Sequence, residues 1–139
     1  MTDTKKQTQQ AGDRWGELRI RTAKAEHKFT VELALDEQSQ AKGLMFRHEM
    51  PADHGMLFIY HKEHPIAMWM KNTLLSLDML FVRKDGTITK IARNTEPLSE
   101  KIIPSSGPVY GVLELNAGTA DRLAIHVGDR LLHPLLNRP

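Results

Sequence analysis

The chain has 139 residues, a size that suits one ordinary domain with a hydrophobic core of its own. Hydrophobic residues make up 40% and charged residues 26%, and no apolar run reaches the roughly 20 residues that a membrane-spanning helix needs. The net charge is only +2 and the basic residues are scattered among acids, which argues against a nucleic-acid partner. We therefore expect one soluble domain that is a monomer and does not insert into membranes.

Two further features concern the compartment. The sequence has no cysteine, which excludes disulfides and thiolate chemistry but is compatible with both reducing and oxidising compartments. Residues 1–14 are polar and rich in Gln and Thr, so we predict a disordered tail ahead of one domain at 15–136. Without an apolar signal region, the sequence indicates a cytoplasmic protein, or an exported one whose start has been processed or trimmed.

The first half of the chain predicts strands on either side of one short helix. Residues 17–35 alternate apolar and polar side chains in two parts, which predicts two half-buried strands joined at the AKAE segment. Asp36 is predicted to cap a helix that runs to Lys42 and ends near Gly43. GMLFIY at 55–60 then reads as a strand buried on both faces.

The middle of the chain predicts more strands and one hairpin. Strand character is found at 66–71, breaks at Asn72 and Thr73, and resumes over 74–83. Asp85-Gly86 then predicts a two-residue hairpin turn, because this dipeptide readily supplies the positive φ angles that such a turn requires.

The C-terminal third predicts a long connection followed by two strands. Residues 94–108 contain three prolines and little periodicity, which indicates a long loop. VYGVLELNAG at 109–118 is predicted to be a buried strand, 119–125 a helical turn capped by Thr119, and 128–135 a turn into a final strand. Many short strands with two short helices predict a mainly β fold, a single-domain sandwich or jelly-roll-like barrel.

Three blocks of sequence resemble a known family. GLMFRHEMPADHGMLFIY at 43–60, MWMKNTLLSLDMLFV at 68–82, and VLELNAG with a later GD at 112–129 are similar to the DUF192 family of small bacterial and archaeal domains. The resemblance covers roughly residues 29–131. It implies a compact, mostly β fold and no established activity, and many members of the family look exported. The chain departs from the family where Met68 replaces an aromatic residue and Ser76 replaces a proline.

The WMKNT segment is the first candidate site. In a strand, Trp69, Lys71 and Thr73 would alternate onto one face and place an indole beside an ammonium and a hydroxyl. That arrangement suits a small recognition patch. The competing interpretation is a structural tryptophan packed on the core with the lysine reaching to water.

Two carboxylates in apolar blocks form the second candidate. Asp78 lies among Leu and Met residues, so its carboxylate must accept hydrogen bonds or pair with a cation. Its candidate partners are Lys71, Arg47, Arg93 and the backbone amides of the turn at Asn72 and Thr73. A structural clasp is the favoured interpretation. Glu114 raises the same question, and if the two converged on one cleft they could act as the acid and base of a hydrolase.

Other chemistry finds little support. The histidines at 48, 54, 61 and 64 are spaced by six, seven and three residues, which fits no recognised metal-ligand motif. No phosphate loop, dinucleotide motif or nucleophile elbow is present, so we expect no cofactor and no metal. The methionines are interpreted as core residues.

The leading functional hypothesis is therefore a non-catalytic binding module for a small polar or anionic molecule or a peptide end. One alternative is a structural or partner-docking domain, and another is a hydrolase that uses Asp78 and Glu114. Enzymatic activity is the less favoured reading. The predicted ligand-binding residues are Trp69, Lys71, Asn72, Thr73, Asp78, Glu114 and Arg47.

Overall fold

The structure is a computed structural model that describes residues 14–137, and this part of the chain forms seven strands and two short helices. In chain order these are β1 (Trp15–Arg21), β2 (Glu26–Ala34), α1 (Glu37–Lys42), β3 (His54–Met68), β4 (Leu77–Val82), β5 (Ile88–Ala92), β6 (Ile103–Asn116), α2 (Thr119–Arg122) and β7 (Arg130–Leu132).

The strands form one curled sheet in the order β5-β4-β6-β3-β2-β1-β7. Neighbours pair antiparallel except β2 and β3, which are parallel. The curl of the sheet brings its two edges together. Two hydrogen bonds join them there: Ile88 N donates to Asp129 O over 2.8 Å, and Leu131 N donates to Gly86 O over 2.8 Å. This architecture confirms the predicted mainly β domain of barrel or sandwich type with two short helices.

Both faces of the central strands are covered by apolar side chains. One core cluster contains Leu57, Leu80 and Leu113, and a second cluster on the other face contains Phe58 and Phe81. All six residues of β4 are buried. A polar side chain on β4 or on the second half of β6 is therefore removed from bulk water, whichever face it occupies.

The predicted first helix is confirmed with its caps. The side chain of Asp36 accepts a hydrogen bond from Ser39 N over 2.8 Å, which satisfies one of the free amides at the start of α1. Gly43 follows the helix with φ 49°, a conformation that glycine adopts without a steric penalty.

The strand predicted at 66–71 is wrong in its second half. Strand β3 ends at Met68, and the chain then turns, since Thr73 N donates to Met70 O over 3.1 Å and Asn72 has φ 56°. The direction of the Trp69 side chain relative to Lys71 and Thr73 is therefore set by this turn and not by strand alternation.

The hairpin between β4 and β5 is confirmed, but its loop is longer than predicted. Arg83 N donates to Thr87 O over 3.0 Å and Gly86 N donates to Arg83 O over 2.9 Å, which leaves a three-residue loop. Within this loop only Gly86 has positive φ, at 90°. Asp85 has no positive φ, and its side chain accepts a hydrogen bond from Thr87 N. The predicted two-residue turn is therefore not formed.

Two C-terminal predictions are also wrong in part. The predicted loop at 94–108 ends early, because β6 begins at Ile103 and includes Pro104 and Pro108. The first half of β6 tolerates these prolines because it pairs with β3 on one side only. Strand β4 pairs with the second half of β6. Thr119 does not cap α2, since Gly118 is the cap residue and the hydroxyl of Thr119 donates to Asn116 O.

The predicted disordered tail falls on residues 1–14, and all of it except Arg14 lies outside the described residues. None of the helices between residues 14 and 137 has the length and apolar character needed to cross a membrane.

We expect Gly86→Ala to lower the free energy of unfolding by about 2–4 kcal/mol. At this position a Cβ atom would lie 2.2 Å from Leu131 O, where the two edges of the sheet meet, and φ is unfavourable for alanine. Gly128→Ala is the matched control, because its φ of 98° is similar and its Cβ would meet nothing within 4 Å. Urea denaturation measures both. Equal losses in the two variants would show that the close approach at Gly86 is unimportant.

Candidate functional site

Glu114 lies on the face of β6 that the second core cluster covers, opposite Met56 on β3 and Met79 on β4. Its apolar neighbours leave only 4% of the residue exposed. Burial in this setting penalises the charged form and raises the pKa of Glu114 to about 8. The carboxyl group is therefore largely protonated at neutral pH.

No described group donates a hydrogen bond to the carboxyl of Glu114 or forms an ion pair with it. The carboxyl group does interact electrostatically with Tyr60. Burial raises the pKa of Tyr60, and the negative charge of ionised Glu114 raises it further. Buried polar groups are normally paired, so an unpaired carboxyl in this position needs an explanation.

The explanation is a cavity of about 340 Å³ that opens beside the carboxyl. One wall is formed by α1 and the chain that follows it, and the other by the end of β3 and the turn after it. The residues that line the cavity comprise a polar set, Glu37, Gln40, Lys42, Tyr60, Lys71, Thr73 and Glu114, and an apolar set that includes Leu44, Met45, Phe58, Ile66, Met68 and Trp69.

Two polar side chains near Glu114 are held in place by their own contacts. The amide nitrogen of Gln40 donates to Ala34 O over 3.1 Å and to Ile59 O over 2.7 Å, which leaves its Oε1 as an acceptor. The hydroxyl of Tyr60 donates to Met68 Sδ over 3.4 Å, which leaves its oxygen lone pairs free to accept.

Lys71 and Trp69 form the outer part of the cavity. The Nζ atom of Lys71 lies 5.2 Å from the ring centroid of Trp69, which is 42% exposed. Thr73 is buried, and its hydroxyl donates to Lys71 O over 3.1 Å. The structure thus brings Trp69, Lys71, Thr73 and Glu114 to one cavity, and the first three reach it through a turn.

Asp78 is in a different place and is fully paired. Its two carboxylate oxygens accept hydrogen bonds from Asn94 N and from Ala120 N, each over 2.9 Å. Ala120 lies in the first turn of α2, so the carboxylate of Asp78 supplies the cap that Thr119 does not. The predicted partners of Asp78 are therefore wrong, since neither of these two backbone amides was among them. The predicted role of Asp78 as a structural clasp is supported.

The structure does not bring Asp78 and Glu114 together. Glu114 pairs across the sheet with Met79, and Asp78 pairs with Leu115. Successive side chains in a strand point to opposite faces, so the two carboxyl groups project from opposite sides of the sheet. The shared cleft that an Asp78–Glu114 hydrolase would require is not formed.

Two more predicted residues lie outside the cavity. Arg47 forms an ion pair with Glu32 over 2.7 Å and lines a separate hollow of about 450 Å³. Asn72 is exposed, and its backbone carbonyl accepts a hydrogen bond from Phe46 N over 2.9 Å. Asn72 shapes the turn that presents Lys71 and does not line the cavity itself.

Sequence reasoning missed Gln40 and Tyr60. Gln40 is one turn into a helix whose start was correctly predicted, but nothing in the sequence shows which wall that helix forms. Tyr60 ends the apolar block at 55–60 and shares a strand face with Met56 and Phe58, so alternation places it on the same side as Glu114 once the register is known.

The histidine region carries no metal constellation in the described part of the chain, which contains no group of three His, Asp or Glu side chains suited to holding an ion. Ring nitrogens of His61 and His64 lie within hydrogen-bond distance of Leu35 O and Lys62 O, at 3.1 and 2.8 Å.

We expect Asp78→Asn to lower the free energy of unfolding by about 2–3 kcal/mol, because an amide NH₂ would face one of two buried backbone donors. Urea denaturation checks this. Asp121→Asn is the control, since Asp121 is an exposed carboxylate whose ion pair with Arg93 should contribute under about 1 kcal/mol. A loss at Asp78 no larger than at Asp121 would contradict the clasp.

The raised pKa of Glu114 predicts a pH-dependent stability. Between its ordinary value of 4.5 and about 8 the folded chain holds this proton and the unfolded chain releases it. The contribution to folding is therefore full below pH 4.5 and is lost as pH rises towards 8, at about 1 kcal/mol per pH unit. Urea denaturation of wild type and Glu114→Gln across this range should give a difference that changes steadily with pH.

Glu49→Gln, which alters an exposed carboxylate, is the control for this experiment and should follow wild type. His133, whose pKa burial lowers, contributes the opposite slope in all three proteins and cancels in the comparison. A wild-type minus Glu114→Gln difference that is constant with pH would rule out titration of Glu114 in this window.

The chain is similar to two proteins of solved structure. A solved structure from Sinorhizobium meliloti, provisionally named a transcription regulator, is 53% identical, with a TM-score of 0.82 over 84% of this chain and 91% of that one. A protein of unknown function from Novosphingobium aromaticivorans is 38% identical, with a TM-score of 0.83 over 86% of this chain and 85% of that one. No curated protein is similar enough to this chain to count as a relative.

The family comparison agrees with the resemblance seen in the three sequence blocks. The DUF192 family model, described as "Uncharacterized ACR", matches residues 18–133, which span β1 to the residue after β7. The chain therefore belongs to the DUF192 family.

Proposed function

We propose that this chain is a non-catalytic binding domain that takes up a small polar or anionic molecule, or the end of a peptide, in the cavity beside Glu114. The observation that carries the proposal is the carboxyl group of a residue that is only 4% exposed; this group is unpaired among the described residues and belongs to a cavity wall. The fold has already removed most of this residue from water. A ligand that pairs with it gains a hydrogen bond at little further desolvation cost.

The composition of the cavity supports a ligand with both polar and apolar parts. Its volume of about 340 Å³ lies at the lower end of the usual range for small-molecule sites. Apolar walls from Leu44, Phe58 and Ile66 surround a few fixed polar groups, a combination typical of ligand pockets. Lys71 adds a positive charge at the outer part, where it would attract an anionic group.

The alternative functions have less support. A hydrolase built on Asp78 and Glu114 lacks a common cleft, since Asp78 is occupied as a clasp on the other face of the sheet. A docking role for the WMKNT segment is favoured by one observation, the exposure of the apolar side chains of Phe46, Leu74 and Leu98 around it. Phe46 N and Leu98 N donate hydrogen bonds to Asn72 O and Thr73 O, so these residues border the same turn.

A thermal-shift screen of small acids, sugars, nucleotides and metal ions on the wild-type chain tests the proposal. We expect at least one small acid or polar compound to raise the melting temperature by several degrees, as ligands of the native state do. Lys71→Ala should reduce that shift. Lys24→Ala is the control, because it removes the same charge at an exposed turn away from the cavity.

The proposal fails if no compound stabilises the wild-type chain, or if the shift is the same in wild type, Lys71→Ala and Glu114→Gln. A small-molecule shift that survives Lys71→Ala but is lost in Glu114→Gln would keep the cavity as the site. It would remove Lys71 from the ligand contacts.

A further inference from the structure

The unused hydrogen-bonding groups in the cavity differ in charge and in exposure. Acceptors are offered by the buried carboxyl of Glu114 and by the Oε1 of Gln40 and the hydroxyl oxygen of Tyr60, which are half-buried. Positively charged donors are offered by the Nζ atoms of Lys71, which is half-buried, and Lys42, which is exposed beside the carboxylate of Glu37. A ligand that satisfies both sets has several N–H donors for the acceptors and an acceptor for the charged donors.

We propose that the cavity binds an α-ammonium group at Glu114, with the neighbouring carboxylate or carbonyl of the ligand directed towards Lys71 and its side chain against the apolar wall. This inference rests on the proposed function and names its ligand class. The chemistry is shared by two sources, a free apolar amino acid and the amino end of a peptide.

An ammonium group suits the set of acceptors because it has three donors for these three groups. An ammonium group would also convert the protonated carboxyl into a carboxylate paired with a cation. In a low-dielectric site, this charge-assisted hydrogen bond is stronger than one between neutral groups.

The opposite orientation is less favoured. A ligand carboxylate beside Glu114 could accept one hydrogen bond, from the protonated carboxyl, but it would lie against the acceptor oxygens of Gln40 and Tyr60, whereas an ammonium group can donate to all three. The cationic donors that a carboxylate prefers, those of Lys42 and Lys71, belong to side chains that are more exposed than Glu114.

Proton release distinguishes the two orientations. The titratable and charged groups that line the cavity with Glu114 are Tyr60 on β3, Glu37 and Lys42 on α1, and Lys71 in the turn. Burial keeps Glu114 largely protonated at neutral pH, so pairing it with an ammonium expels close to one proton per ligand. A bound anion that accepts from the protonated carboxyl would expel none.

Isothermal titration calorimetry on the full chain at neutral pH tests the inference with four compounds: leucine, leucinamide, N-acetyl-leucine and leucyl-alanine. We expect the three with a free ammonium to bind and N-acetyl-leucine to bind at least about tenfold more weakly. Titrations in two buffers of different ionisation enthalpy should show proton release on binding, and Glu114→Gln should weaken binding about tenfold and abolish the release.

Two variants test the contact with Lys71. Lys71→Ala should weaken leucine more than leucinamide, since only leucine presents a carboxylate to it, while Lys24→Ala should change neither. Tighter binding of leucine than of leucyl-alanine would identify the free amino acid as the ligand, and the reverse order would identify a peptide end.

The outcomes distinguish the inference from the proposed function. If N-acetyl-leucine binds as tightly as leucine and Lys71→Ala weakens it, the cavity is a binding site but the ammonium assignment is wrong. If none of the four compounds binds while another small molecule does so through Glu114, the ammonium assignment is again wrong. If nothing binds in either experiment, both proposals fail.

Discussion

Burial of both faces of the central strands is the constraint on which the rest of the structure depends. Strand β4 and the second half of β6 lie between two apolar clusters, so a carboxyl group there is largely removed from bulk water. Asp78 and Glu114 meet this constraint in opposite ways. Asp78 accepts two backbone hydrogen bonds and ties β4 to Asn94 and to α2, whereas Glu114 keeps its proton and lies in the wall of a cavity.

The two carboxyl groups differ in what they contribute to the stability of the fold. A carboxylate with two amide donors stabilises the fold and has little left to offer a ligand. A buried carboxyl without a partner contributes nothing comparable to the fold, and it remains available to pair with a ligand of the proposed kind. The clasp and the cavity occupy opposite faces of one sheet.

The cavity itself depends on chain segments that are distant in sequence. Helix α1 is held at the sheet by Gln40, whose amide bridges a carbonyl at the end of β2 and a carbonyl within β3. Across the cavity, the turn after β3 is tied to neighbouring loops through Phe46 and Leu98. These backbone contacts fix Trp69 and Lys71 on a short, well-anchored turn, which is the kind of support that a pre-organised site requires.

The sequence by itself determined most of the strand and helix pattern, the first helix with its Asp36 cap and Gly43 end, and the fact that Asp78 and Glu114 are buried, because periodicity, capping and hydrophobic context are local signals. Only the tertiary structure decided which amides satisfy Asp78, which face Glu114 occupies, and that Gln40 and Tyr60 join it. Those outcomes depend on strand register and on packing between distant segments, and a shift of one residue in register would exchange the two faces.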